Sequence, residues 1–207
     1  MLKAILIPVL IIASFLGLIF GAYLPYMKAN AYINSMVGMS SVSSVQGLET
    51  DFTPALQMYS PIGQRETVKF TLNTFGSIAT EKGMNEQVVR ALIDYIEPYI
   101  NQKTDYIFPL ISMGGLYFTL YANYSHAEPD YQKALAYFKD AYALGPKLPP
   151  VLYSLFQLYT AHGDLADAVD VARQINTYWP SDQQIAGFLK QYASSTALAG
   201  VASSTAK

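Results

Sequence analysis

The chain has no cysteine, only two histidines, and no run of lysine or arginine. The first absence excludes disulfides, thiol nucleophiles and thiolate metal sites, though it assigns no compartment. The second leaves little material for imidazole catalysis or metal ligation. The third, together with a net charge of −2 over 207 residues, argues against a nucleic-acid binder, which would carry a basic stripe. Also missing are a glycine-rich phosphate loop followed by Lys-Ser/Thr, a Ser–His–Asp constellation and a closely spaced carboxylate pair. The expectation is a non-enzyme with no cofactor and no metal.

Two patterns are present instead. Residues 4–24 contain no charge and are dominated by Ile, Leu, Val and Phe. At ~1.5 Å per helical residue such a run covers about 30 Å, the thickness of a bilayer core. Pro8 falls near its start and Pro25 closes it, while Tyr23 and Tyr26 occupy the place of interfacial aromatics. Residues 1–27 therefore read as a transmembrane anchor. A cleaved signal peptide is the alternative, since Ala29-Asn30-Ala31 offers a small-residue cleavage pattern, but the apolar run is long for one. Lys3 and the amino terminus face Lys28 across the segment, a slight bias toward an internal N-terminus. That orientation puts the rest of the chain on the extracytoplasmic side.

The second pattern recurs every 34 residues. Ala134, Phe138, Ala141 and Pro146 are answered by Ala168, Ala172, Ile175 and Pro180. Tyr117, Leu120 and Tyr124 precede the first set as Leu152, Leu155 and Tyr159 precede the second. Small residues at such spacing let two helices approach, a large one fills the gap, and Pro ends the second helix. The unit is a helix–turn–helix that stacks on copies of itself, and the fold class is all-α.

The remaining chain is organised around these units. Residues 28–63 read as a juxtamembrane helix (28–37), a Ser/Gly-rich linker (38–50) and a short helix from Asp51, capped by Asp51 or Thr53. Residues 64–193 read as the repeat domain, about three helix pairs and a terminal helix. Within it, 64–102 form a degenerate first pair, the second repeat lies near 114–147 and the third near 149–182. Gly114-Gly115 reads as a flexible start to the second repeat, and residues 183–192 as a helix covering the last open face. The tail 194–207 has one charge and is expected to be disordered.

Tyr124, Tyr131, Ala134, Phe138, Ala141 and Pro146, followed by Tyr159, Gly163, Leu165, Ala168 and Pro180, resemble the tetratricopeptide repeat. The departures are local: one extra residue in the inter-helix turn over 125–130, and Ala172 where a large residue is usual. A second resemblance concerns the apolar helix, then Leu24-Pro25-Tyr26-Met27-Lys28-Ala29-Asn30-Ala31, then Phe52 to Glu66. This order is similar to the C-terminal end of bacterial O-antigen ligase and polymerase-like membrane proteins. The resemblance spans about 45 residues, none of them a catalytic motif, and implies an accessory tail of a cell-envelope glycan assembly system without its enzyme.

Tetratricopeptide arrays bind along a concave groove lined by the first helix of each repeat. The resemblance transfers that lining to Asn73, Thr74 and Ser77, to Phe118 and Ala122, and to Tyr153, Ser154 and Gln157. The lining is polar, uncharged and partly aromatic, without the Lys and Arg clamps that grip a terminal carboxylate. It suits an uncharged peptide or a sugar chain, unless the aromatics pack between helices. His126 and His162 both fall at inter-helix turns without an i+4 His or Glu partner, so they read as exposed turn residues. The functional expectation is a membrane-anchored interaction or scaffold protein with a protein or glycan partner; the alternative is the glycan-assembly accessory module.

Overall fold

A computed structural model of the chain describes residues 2–38, 44–100 and 106–192. Among the described residues there are helices and connections but no strand. They fall into two compact units, Met1–Asn101 and Gln102–Lys207.

The first unit opens with α1 (Leu2–Leu18), passes through a π-helical turn (Ile19–Tyr23) and continues without a break into α2 (Leu24–Gly38). The Leu24 N–H donates to Ile19 O, so the backbone ladder is carried across the bulge. Every residue from 6 to 23 is exposed. This helix is long and apolar enough to cross a membrane.

The helix changes character in α2, where Lys28 and Ser35 are buried. Ser35 Oγ donates to Asp51 O at 2.6 Å and Lys28 Nζ to Met58 O at 2.6 Å. α3 (Val45–Gln57) starts earlier than the sequence reading placed it. Ser44 supplies the cap, its Oγ accepting from Gly47 N at 3.2 Å. The serine that looked like linker composition thus begins a helix, and Asp51 and Thr53 lie inside it. α4 (Gln64–Ala79) and α5 (Glu86–Ile96) form a helix pair, the second capped by Asn85 Oδ1 accepting from Val88 N.

An aromatic series ties these helices together. Tyr32 of α2 lies 6.2 Å from Phe52 of α3, Phe52 lies 5.5 Å from Phe75 of α4, and Phe75 lies 6.1 Å from Tyr95 of α5. Phe52 and Phe75 are completely buried, each burying enough apolar area to dominate its layer.

The second unit contains α6 (Ile107–Leu120), a π-helical turn (Tyr121–Ser125), α7 (Glu128–Leu144), α8 (Pro149–His162), α9 (Leu165–Tyr178) and a last helix over 183–192, here α10. α6 packs on α7, α7 on α8 and α8 on α9, and α8 also touches α6, the stacking that the 34-residue period demands. Ala134, Ala141 and Ala168, small positions of the pattern, have no exposed surface, and Ala172, where a large residue is usual, is buried as completely. α10 covers the open face, with Ile185 buried and Phe188 edge-on to Phe156 at 4.9 Å.

In the second unit one feature differs from the sequence reading. Gly114 and Gly115 are not a flexible start, because α6 begins at Ile107 and contains both. A Cβ on Gly114 would sit 2.5 Å from Phe138 Cε1, so glycine there is what lets α6 close on α7. The extra residue expected near 125–130 falls where α6 ends in a π turn closed by His126 N–H donating to Tyr121 O at 3.0 Å. His126 then turns the chain with φ 50°. The tail 194–207 lies outside the described residues.

Candidate partner-binding surface of the repeats

α8 sorts its residues by face. Val151, Leu152, Leu155, Phe156, Leu158 and Tyr159 are buried, Tyr153 and Ser154 are half-buried, and Gln157 is exposed. With ~3.6 residues per turn, Tyr153 and Gln157 stand one turn above each other on the side turned away from the core. Phe118 on α6 and Ala122 in the π turn are half-buried. Asn73 and Ser77 lie on α4 of the first unit and are both exposed. There Ser77 Oγ donates to Asn73 O at 3.1 Å, turning back on its own helix, and Thr74 Oγ1 lies 3.0 Å from Phe70 O and 3.6 Å from Met36 Sδ of α2.

Tyr153 is more than a groove aromatic. Its hydroxyl donates to Asp182 Oδ2, and its ring lies 6.3 Å from that of Trp179. Asp182 in turn caps α10, with Oδ1 accepting from Ile185 N at 3.0 Å. The hydrogen bond to Asp182, with burial and the nearby charge adding to it, pushes the Tyr153 phenol up to about 12. The same bond, helped by the Ile185 and Gln184 amides, holds the Asp182 carboxyl below its ordinary range. Tyr153 therefore fastens the terminal helix through its oxygen while its ring stays half-buried on α8.

A second polar cluster sits at the turns, and sequence reasoning passed it over. His126 is an exposed turn residue, but His162 is not. Its ring lies flat on Tyr131, with centroids 3.6 Å apart and planes 8° from parallel. Nε2 is 3.0 Å from Glu128 Oε2, and the fully buried Nδ1 is 3.0 Å from Asp164 Oδ2, an ion-pair contact off the hydrogen-bond direction. Tyr131 donates its hydroxyl to Asp164 Oδ2 as well.

Burial pulls the His162 pKa down, but Glu128 and Asp164 outweigh it and the net shift is upward. Asp164 is held low, first by the Tyr131 hydrogen bond, and Glu128 by those from Gln132 and His162. Burial first, then Asp164, pushes Tyr131 far up. The signal that points to this cluster is the repeat offset: Glu128 and His162 are 34 residues apart. Equivalent turn positions meet when repeats stack.

Residues 126–192 match the family model of the tetratricopeptide repeat. This part of the chain is tetratricopeptide repeat. The match covers α7 through α10, the helices whose small residues cross in the core. Comparison with curated proteins and with solved structures finds no match. Tetratricopeptide repeats are protein-interaction modules, so the matched part of the chain implies an interaction or scaffold role. Among the described residues no group of three or more His, Cys, Asp or Glu is gathered closely enough to hold a metal ion.

Proposed function

We propose that the chain is a membrane-anchored interaction protein, with α1 in the bilayer and the repeats presenting Phe118, Ala122, Tyr153 and Gln157 to a partner on the extracytoplasmic side. Asn73 and Ser77 give the first unit a polar, uncharged patch of its own on α4. The observation that carries the reading is the tetratricopeptide match over α7–α10 in a chain whose residues 6–23 are apolar and exposed. Permanent anchoring is favoured over signal cleavage because cutting after Ala31 would divide α2 and remove Lys28, whose ammonium is buried against Met58 and Gln64. The surface chemistry fits an uncharged peptide or glycan, since amides, hydroxyls and ring faces predominate over charge.

The test is cross-linked pull-down from membranes with the wild type and Gln157→Ala. Gln157 is exposed, so its truncation leaves the fold intact, and a specific partner should be recovered several-fold less. Equal recovery with the variant would remove this face from the binding surface.

A second reading is an accessory module of a membrane glycan-assembly system. What favours it is that residues 24–31 and 52–66, which carry the resemblance to O-antigen ligase-like proteins, meet at one place. Lys28 from the first stretch is held by Met58 and Gln64 from the second. Recovery of a many-helix membrane glycosyl-transfer enzyme in the same pull-down supports this reading, and a partner of any other class excludes it.

A further inference from the structure

We infer that the connection from Met58 to Gly63, between α3 and α4, is a foot that inserts into the interfacial layer of the bilayer crossed by α1. This rests on the membrane-anchor reading above. The argument begins with height. α1 and α2 are one continuous helix, so a residue's distance from the apolar run follows from ~1.5 Å of rise per residue. Lys28 is four residues past Leu24, about 6 Å above the end of that run. The polar layer on each face of a bilayer is roughly 5–8 Å deep.

Lys28 fixes the connection at that level. Its Nζ donates to Met58 O at 2.6 Å and to Gln64 Oε1, so both ends of the connection are tied to one side chain. Helical side chains lean toward the N-terminus, which for Lys28 is the apolar run. A Cβ on Gly63 would lie 3.8 Å from Lys28 Cδ, so the far end of the connection sits beside the same side chain.

The composition of the foot matches that location. No charged residue occurs between Asp51 and Arg65. Tyr59 is 69% exposed and Ile62 61% exposed, although Ser60 Oγ folds the turn by donating to Ile62 O at 2.6 Å. Large side chains held outward on an ordered, uncharged turn are costly in water and favourable at the headgroup boundary, where Tyr is enriched. Tyr26, 66% exposed on α2, lies at the same level.

The foot restrains the first unit. A single helix leaves a domain free to swing about its exit point, whereas a second contact with the same lipid surface limits that motion. A phospholipid layer is the occupant because the connection is tied to the first turns beyond the membrane-crossing run and has no charge with which to select another partner.

The test uses the full chain with Trp179→Phe to remove its one tryptophan, and Ile62→Trp or Tyr59→Trp as reporter. Both reporter positions are exposed, so neither substitution disturbs the core. The proteins are reconstituted into phosphatidylcholine vesicles, with and without phosphatidylcholine brominated high on its acyl chains. Sedimentation after an alkaline wash reports the anchor separately.

The expected result is co-sedimentation, blue-shifted emission, loss of most emission with the brominated lipid and little quenching by aqueous iodide. Co-sedimentation with quenching by iodide alone would overturn the foot and leave the anchor standing. Failure to sediment would overturn both.

Discussion

Adjacent glycines on α6 should respond to the same substitution with opposite signs. Gly114 and Gly115 both lie inside Ile107–Leu120, so Gly→Ala at either gains about 0.8–1.0 kcal/mol of helix propensity. At Gly115 nothing lies within 4 Å of an added Cβ, and the gain stands alone. At Gly114 the Cβ would meet Phe138 Cε1 at 2.5 Å, Cδ1 at 2.6 Å and Cζ at 3.2 Å.

Phe138 is 1% exposed, so its ring cannot swing into solvent to make room. Overpacking of this kind costs about 1–3 kcal/mol. The propensity term cancels between the variants, so Gly115→Ala should exceed Gly114→Ala in stability by about 1–3 kcal/mol. At ~4–8 °C per kcal/mol for a domain of this size, the melting points should differ by at least about 4 °C.

Trp179 is the one tryptophan in the chain and belongs to the second unit, so its fluorescence reads this transition selectively. Phe138→Leu should recover part of the loss in the Gly114→Ala background by making room, a coupling that a double-mutant cycle measures. Equal melting points for the two alanine variants would refute the claim that glycine is needed for the α6–α7 approach.

Ala134→Trp and Ala168→Trp each force a large ring into a crossing with no exposed surface. Each should lower the stability of the second unit by about 1–3 kcal/mol or more, and wild-type melting would show the repeat register to be wrong. For His162 the folded pKa lies above the ordinary 6.5. Its contribution is therefore complete below that value and lost as pH rises through the folded one, while the shares of Glu128 and Asp164 are lost on acidification through their lowered values. Melts of wild type and His162→Gln should diverge in the mildly acid range and converge above neutrality; parallel profiles would mean the cluster carries no linkage. Asp182→Ala removes both the α10 cap and the Tyr153 acceptor. Amide exchange over 183–192 should rise while α7–α9 stay protected, and unchanged exchange would show that Phe188 and Ile185 alone hold the helix.

Short-range periodicity made much of this protein legible from its sequence. The uncharged run specified a long, exposed apolar helix because its 21 residues, 4 through 24, carry no charge and match a bilayer core in length. The 34-residue recurrence located buried positions of the helix stack, since Ala134, Ala141, Ala168, Ala172 and Ile175 all have no exposed surface.

What the sequence left open depended on partners far along the chain. Ser44 looked like linker until its hydroxyl was seen to cap α3. Gly114 has the local look of a hinge, and only the ring of Phe138, 24 residues on, makes it a site of close approach. Lys28 reads as a membrane-flanking charge, yet its ammonium is buried against a carbonyl 30 residues away. His162 reads as a turn residue, yet it spans 34 residues to Glu128 while stacking on Tyr131. Local propensity and periodicity decide which residues become helix and which face turns inward. Which particular atoms then meet is a consequence of packing one helix on another, and that was decided by the tertiary structure.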